Sequence, residues 1–210
     1  MKLTKLLERL DYKVVAGSDN IEITELVNDS RKVVPDSVFV CISGAVSDGH
    51  QYVKDVAEKG AAAVIVEKDV EVPEGLTVIK VENTRYALAL MSAAYFGYPA
   101  EKLKTIGITG TKGKTTTTYM VKAILEEVGH KVGLIGTIEA IIGDKTIPSN
   151  NTTPESYTIQ KYFAQMVEAG CDCVVMEVSS QGLMLHRTAG IMFDIGIFTN
   201  LGEDHIGPNE

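Results

Sequence analysis

A chain of 210 residues with 45% hydrophobic and 23% charged residues has the composition of a soluble globular protein, long enough for one large or two ordinary domains. A formal charge of −8 and a pI near 5.1 argue against a nucleic-acid partner, whose phosphates demand a basic face. The longest apolar run, Ala61 to Val66, falls far short of a bilayer span, so no membrane insertion is expected.

Leu3, Leu6, Leu7 and Leu10 recur at helical spacing among charges, which is not the pattern of a secretory signal. The cysteines, Cys41, Cys171 and Cys173, are odd in number and read as reduced core thiols of a cytoplasmic protein. A Cys-x-Cys metal site would need further ligands nearby. Strands are expected at Val38 to Ile42, Ala63 to Val66 and Thr77 to Val81, and helices at Tyr52 to Lys59 and Thr84 to Phe96. Gly60 stands where a C′ glycine belongs. Asp29-Ser30-Arg31-Lys32, followed by the turn Val34-Pro35-Asp36, reads as a polar capping loop. Its functional alternative is that Ser30 and Arg31 donate hydrogen bonds to an anionic ligand. Asp48-Gly49-His50 is a similar turn before a helix. Gly97-Tyr98-Pro99-Ala100 breaks the helical pattern and divides the chain into expected domains 1–98 and 99–210.

The second part opens on Ile106-Gly107-Ile108-Thr109-Gly110-Thr111-Lys112-Gly113-Lys114-Thr115-Thr116-Thr117. An apolar run ends in a glycine-spaced turn, then a lysine and threonines, and then a helical pattern of Met120, Val121, Ile124, Leu125 and Val128. That is how a phosphate-binding loop reads. Glycines let backbone N–H groups turn around phosphate oxygens, the helix N-terminus adds positive potential, Lys114 reaches the terminal phosphates and Thr115 can hold Mg²⁺. The general pattern G-x-x-x-x-G-K-[ST] is met imperfectly, because Ile108 occupies the first glycine slot. The bland alternative is a glycine-rich turn with a solvated lysine.

Two passages, Leu125 to Gly129 before Val132 to Ile135 and Met166 to Gly170 before Cys173 to Val178, each close a helix with glycine and enter an apolar strand. This is the mark of βα units around a buried parallel sheet. Ile138 to Ile142, Gly143-Asp144 and Lys145 to Ile147 read as a hairpin. Asn151-Thr152-Thr153-Pro154-Glu155 opens a helix, with Thr153 as N-cap and Pro154 as its first residue, and also suits an anion or sugar contact. Three features should then meet at the carboxyl ends of adjacent strands: the phosphate loop, Glu177 with Ser179, and Thr199-Asn200 with Asp204-His205. A carboxylate at Glu177 in a buried strand costs several kcal/mol unless paired or coordinated, which makes it a candidate Mg²⁺ ligand as well as a candidate ion-pair partner. His205 is either a surface imidazole or a metal or phosphate contact, and Arg187 either an exposed arginine or a bidentate grip on an anion.

Taken together, Thr109 to Thr116, Asn151 to Pro154, Met176 to Leu183 with Leu185-His186-Arg187, and Phe198 to Leu201 with Asp204-His205 resemble the Mur ligases. Within that family the resemblance is to the members that add the third residue of the peptidoglycan stem peptide. Asn28 to Val33 with Asp48-Gly49-His50 is similar to the family's uridine-nucleotide-binding domain, so the resemblance spans nearly the whole chain. It implies an α/β protein: a small N-terminal α/β UDP-binding domain, then a P-loop domain with a mostly parallel sheet and helices on both faces, incomplete at its C-terminus.

The resemblance further implies an ATP-dependent ligase with ATP and Mg²⁺. Gly110, Thr111, Lys112, Gly113, Lys114, Thr115 and Thr116 would surround the phosphates, and Thr115, Glu177 and His205 would hold metal. Lys114, Glu177 and His205 would be the catalytic set. The substrate carboxylate of UDP-N-acetylmuramoyl-L-alanyl-D-glutamate would become an acyl phosphate, attacked by the amine of a diamino acid. Ser30, Asn151, Thr152, Thr153, Ser179 and Arg187 match positions that hold the UDP-muramoyl substrate. Family members continue beyond the point where this sequence stops, through a carbamylated lysine and a further domain. The expectation is therefore a monomeric fragment that does not ligate alone. The alternatives are a non-catalytic nucleotide-sugar-binding module, or a ligase of the folylpolyglutamate or cyanophycin type.

Overall fold

The computed structural model describes residues 1–44 and 47–203 and divides the chain into two compact units, Met1–Tyr95 and Phe96–Glu210. The first unit contains, in order, helix α1 (Leu3–Leu6), strands β1 (Lys13–Ala16), β2 (Leu26–Val27) and β3 (Val38–Val40), helix α2 (Val53–Glu58), strands β4 (Ala63–Val66) and β5 (Thr77–Lys80), and helix α3 (Thr84–Tyr95). Its sheet has the order β1-β5-β4-β3-β2, parallel except for the β1–β5 pair. Strands β3 and β4 are buried throughout, as strands covered on both faces must be. Phe39, Val64 and Val78 pack with Val53 and Val56 of α2 on one face. The alternate residues Val38, Val40 and Ile65 are equally inaccessible on the other.

The second unit contains β6 (Lys104–Thr109), α4 (Lys114–Glu127), β7 (Val132–Ile135), the hairpin β8 (Glu139–Ile142) and β9 (Lys145–Pro148), α5 (Ser156–Glu168), β10 (Cys173–Glu177), α6 (Ser180–Met184) and β11 (Ile195–Phe198). The sheet order is β11-β6-β10-β7-β8-β9; the first four strands run parallel and the hairpin is antiparallel. Because side chains alternate along a strand, Val174 and Met176 of β10 pack with Ile159, Phe163 and Met166 of α5, whereas Cys173 and Val175 pack on the α4 side with Ile106 and Ile108. This is a mixed α/β architecture with helices on both faces of a mostly parallel sheet.

One local expectation is corrected. The helix expected to start at Pro154 with a Thr153 cap begins at Ser156, with Glu155 in the N-cap position and no side-chain cap bond. Thr153 is 1% exposed because its hydroxyl is taken by β10 and the residue after it. Of the five apolar residues in the α4 pattern, Val121 and Leu125 pack against the core, while Met120, Ile124 and Val128 are 60–70% exposed. The helical step of 100° per residue turns Met120 and Ile124 away from Val121 and Leu125, and Val128 is the C-cap, past the end of the helix.

Candidate active site

The carboxyl ends of β11, β6 and β10 lie side by side, so the phosphate loop emerges between Thr199-Asn200 and Glu177. Glu177 has the parity of Cys173 and Val175, which turns it to the α4 face, where the first turn of that helix begins. It is 1% exposed. Its partners are a backbone amide and two hydroxyls, with no cation among them. Thr115 Oγ1 donates to Oε2 at 3.0 Å, Thr137 Oγ1 stands 3.0 Å from the same oxygen, and Thr137 N donates to Oε1 at 2.9 Å. Gly136 is required beside it, because a Cβ there would lie 2.5 Å from Glu177 Oε1.

Lys114 does not extend from the loop. Its ammonium donates to the carbonyls of Gly110 at 2.7 Å and Thr111 at 3.1 Å. Nearby, Tyr119 donates to Glu139 Oε1 at 2.7 Å; burial first, then that bond and the charges of Glu139 and Glu177, push its phenol up to about 12. Two carboxylates thus act on Tyr119, and one of them, Glu177, also meets Thr115 and suits a cation there. An oxygen pair 3.0 Å apart also matches the edge of about 2.9 Å between adjacent ligands of an octahedron with Mg–O of 2.0–2.1 Å. Thr115 and Glu177 thus fit Mg²⁺ in donor type and spacing.

Thr152, Thr153, Ser179 and Arg187, which the resemblance assigns to substrate, form a second knot next to the first. Thr137 and Thr152 hydroxyls are 3.0 Å apart. Thr153 Oγ1 donates to the Glu177 carbonyl at 3.0 Å and accepts from Ser179 N at 2.9 Å, while Ser179 Oγ accepts from Gly182 N at 3.0 Å. Arg187 donates to the Thr153 carbonyl at 2.9 Å and to Glu155 Oε1 at 2.6 Å. Its Nε is buried without a hydrogen-bond partner. Thr137, Thr152, Thr153, Ser179 and Arg187, with Gly110, Thr111 and Lys114 of the loop, line one open cavity of about 560 Å³. Asn151 is on its rim, exposed, with its carbonyl accepting from Ser149 Oγ at 2.8 Å.

Ser30 belongs to the other unit. It starts a 3₁₀ turn capped by Asp29, and its carbonyl accepts from Lys59 Nζ at 2.8 Å. Arg31 closes back on Asp29 with two bonds of 2.9 Å, and the pairing holds the Asp29 carboxyl at about 2. His50 is buried between Asp48, 2.6 Å from Nδ1, and the Glu67 amide, which donates to Nε2 at 3.1 Å. It is a core imidazole with a fixed tautomer. Asp204 and His205 lie outside the described residues.

Sequence reasoning missed Thr137 as a site residue, and set Thr199-Asn200 at a strand end without giving Asn200 a contact. The first directly follows a buried strand and a glycine, the same position relative to β7 that the phosphate loop has to β6. The Cys-x-Cys pair does not chelate: Cys171 and Cys173 enter different apolar clusters. His130, Asp172 and Cys173 have ligand atoms within 4.8 Å of one another, but the thiol is buried and Asp172 already pairs with His130 and the Lys131 amide. Among the described residues no helix is long and apolar enough to cross a membrane.

A glycine-rich strand-loop-helix turn with a buried acidic residue at the next strand end is the arrangement of nucleotide-binding α/β domains. Residues 108–208 match the family model described as Mur ligase middle domain, and residues 22–96 match that described as Mur ligase family, catalytic domain. The chain belongs to the Mur ligase family. It is 50% identical over 206 residues to the UDP-N-acetylmuramoyl-L-alanyl-D-glutamate–2,6-diaminopimelate ligase of Clostridium perfringens, covering 98% of this chain and 43% of that protein. It is 45% identical to the ligase of the same name from Caldanaerobacter subterraneus, covering 100% of the chain and 43% of the relative. The chain thus spans less than half the length of these curated relatives. A solved structure of a ligase of that name superimposes with a TM-score of 0.82 at 21% identity, covering 100% of this chain and 42% of that one. The MurF ligase of Thermotoga maritima in complex with ADP gives 0.56 at 23%, covering 86% and 38%. These two likenesses concern the fold.

Proposed function

We propose that the chain is the front portion of an ATP-dependent ligase that joins 2,6-diaminopimelate to UDP-N-acetylmuramoyl-L-alanyl-D-glutamate. The observation that carries this is the buried Glu177 carboxylate 3.0 Å from the Thr115 hydroxyl at the head of the loop helix, beside a cavity lined by Lys114, Thr152, Thr153 and Ser179. The names and 45–50% identities of the relatives supply the substrates.

In this reading 1–98 binds the uridine nucleotide and 99–210 binds ATP. Gly110 to Thr116 surround the phosphates, with Lys114 leaving its loop carbonyls to meet them. Thr115 and Glu177 hold Mg²⁺, which supplies charge neutralisation of the phosphates when bound. Asn151, Thr152, Thr153, Ser179 and Arg187 orient the muramoyl dipeptide so that its free carboxylate faces the terminal phosphate, with Ser30 on the uridine nucleotide. His205 serves as a further metal or phosphate contact. Orientation of two bound reactants removes most of the entropic barrier to their meeting. The carboxylate takes the terminal phosphoryl group of ATP, releasing ADP and forming an acyl phosphate, and the amine of diaminopimelate attacks its acyl carbon, releasing phosphate and a proton.

The test is phosphate release by the whole protein with ATP, Mg²⁺, the UDP-muramoyl dipeptide and diaminopimelate. Turnover that requires all four and is lost in Lys114→Ala is expected. ATP hydrolysis indifferent to the dipeptide, or no binding of the dipeptide by calorimetry, overturns the proposal.

A further inference from the structure

The carboxamide of Asn200 holds both backbone groups of Lys112. Its Oδ1 accepts from Lys112 N at 3.0 Å, and its Nδ2 donates to the Lys112 carbonyl at 3.0 Å. This is the two-bond exchange that joins residues across a β-ladder, made here by a side chain. The Asn200 carbonyl accepts from Thr111 N at 3.0 Å, Thr199 Oγ1 donates to the Lys112 carbonyl at 2.7 Å, and Gly202 N donates to Thr111 Oγ1 at 2.9 Å. Gly110, at φ +130°, admits this segment: a Cβ there would collide with Thr199 Oγ1 and lie 2.9 Å from the Asn200 carbonyl oxygen.

An amide has one proton to give. Those of Thr111 and Lys112 are both spent on Asn200 and cannot also meet a phosphate. The first hydrogen bond across the head of α4 runs from Thr117 N to the Gly113 carbonyl, so the amides of Gly113, Lys114, Thr115 and Thr116 have no acceptor within the helix.

We infer that Asn200 is a positioning residue for the nucleotide, turning the Thr111 and Lys112 amides away from the phosphate site and presenting those of Gly113 to Thr116 as the cradle. The inference rests on the proposed ATP site and specifies which of its donors meet phosphate. Asparagine is required because aspartate would set an acceptor against the Lys112 carbonyl and a negative charge beside the phosphates.

The experiment combines residue-resolved amide exchange with calorimetric titration of Mg·ATP into the chain, its Asn200→Ala variant and its Asn200→Asp variant. In wild type the Thr111 and Lys112 amides are protected before nucleotide is added, and nucleotide then slows exchange at Gly113 to Thr116. Asn200→Ala speeds exchange at Lys112 and raises the Kd for Mg·ATP about tenfold, and Asn200→Asp raises it further. Equal Mg·ATP affinity in wild type and Asn200→Ala overturns the role of Asn200 while leaving the ATP site intact. A wild type that binds no Mg·ATP overturns the ATP site and this assignment with it. Should a variant fail to fold, the wild-type pattern alone decides: nucleotide-induced protection at Thr111 and Lys112 instead of Gly113 to Thr116 overturns the inference.

Discussion

Thr137 engages both oxygens of Glu177, its amide donating to Oε1 at 2.9 Å and its hydroxyl lying 3.0 Å from Oε2. A hydroxyl has one proton and a carboxylate can only accept, so Thr137 Oγ1 shares its proton between Glu177 Oε2 and Thr152 Oγ1, each 3.0 Å away. Thr137→Val keeps the amide bond and removes the hydroxyl. A loss of about 1–3 kcal/mol in denaturant unfolding is expected, with Thr137→Ser close to wild type. Equal stability of the Val and wild-type proteins would show that the hydroxyl contributes nothing to holding the carboxylate.

Glu177→Gln separates stability from function. The charge is buried at 1% exposure with no cation among its partners in the described residues, so neutralising it should leave stability unchanged or raise it by about 1 kcal/mol. Mg²⁺-dependent nucleotide affinity should fall at least about tenfold, as loss of a carboxylate from the Mg²⁺ ligands implies. Calorimetry with ATP in Mg²⁺ and in EDTA reads the difference; a variant with full Mg²⁺ dependence would remove Glu177 from the metal site.

Thr153→Val deletes a hydroxyl that serves a carbonyl and an amide at once, those of Glu177 and Ser179. Both backbone groups lose a partner, at a cost of roughly 2–4 kcal/mol. Thr153→Ser should recover most of it. If Thr153 served only as a helix cap, both substitutions would cost about 1 kcal/mol or less, with little difference in melting temperature between them.

Cys41 gives an alkaline prediction. Burial first, then the charges of Asp48 and Glu67, push its thiol up to about 12 from 9.0. Below the ordinary value both folded and unfolded chains keep the proton. Above it the unfolded chain ionises while the folded one does not, so stability falls as pH rises, by up to about 1.4 kcal/mol per unit. Urea midpoints measured on either side of the ordinary thiol value should show this slope, and Cys41→Ala should flatten it. Native Cys41 should also resist alkylation that the unfolded chain accepts readily.

Much of the architecture is legible because parity and period carry it. Val132 to Ile135 is a strand at the expected residues, and the alternation Cys173, Val175, Glu177 turns the carboxylate to the α4 side. Convergence of β6, β10 and β11 follows from the carboxyl-end rule for open sheets. What was not legible is where tertiary partners override local signals. Thr153-Pro154 is a strong helix-start signal, yet the Glu177 carbonyl and Ser179 amide compete for the same hydroxyl and draw it into the site. No local pattern distinguishes Val121 and Leu125 from Met120 and Ile124 as the packed stripe, because each pair recurs at helical spacing. Thr137 has no motif character of its own, and Asn200 is legible only as part of a strand-end segment; each acts through atoms of residues about 40 or about 90 positions away, a separation only the fold reveals.

Strand β11 has one described hydrogen-bonded neighbour, β6, and ends the sheet with Ile195 at 53% and Phe198 at 63% exposure. An apolar strand edge of this kind is a template for pairing between molecules. The 210-residue chain should therefore show light scattering that grows with concentration and an onset of heat aggregation that falls with it. Lysine in place of Ile195 should suppress both while leaving the nucleotide loop untouched, since a charge on an edge strand opposes sheet extension.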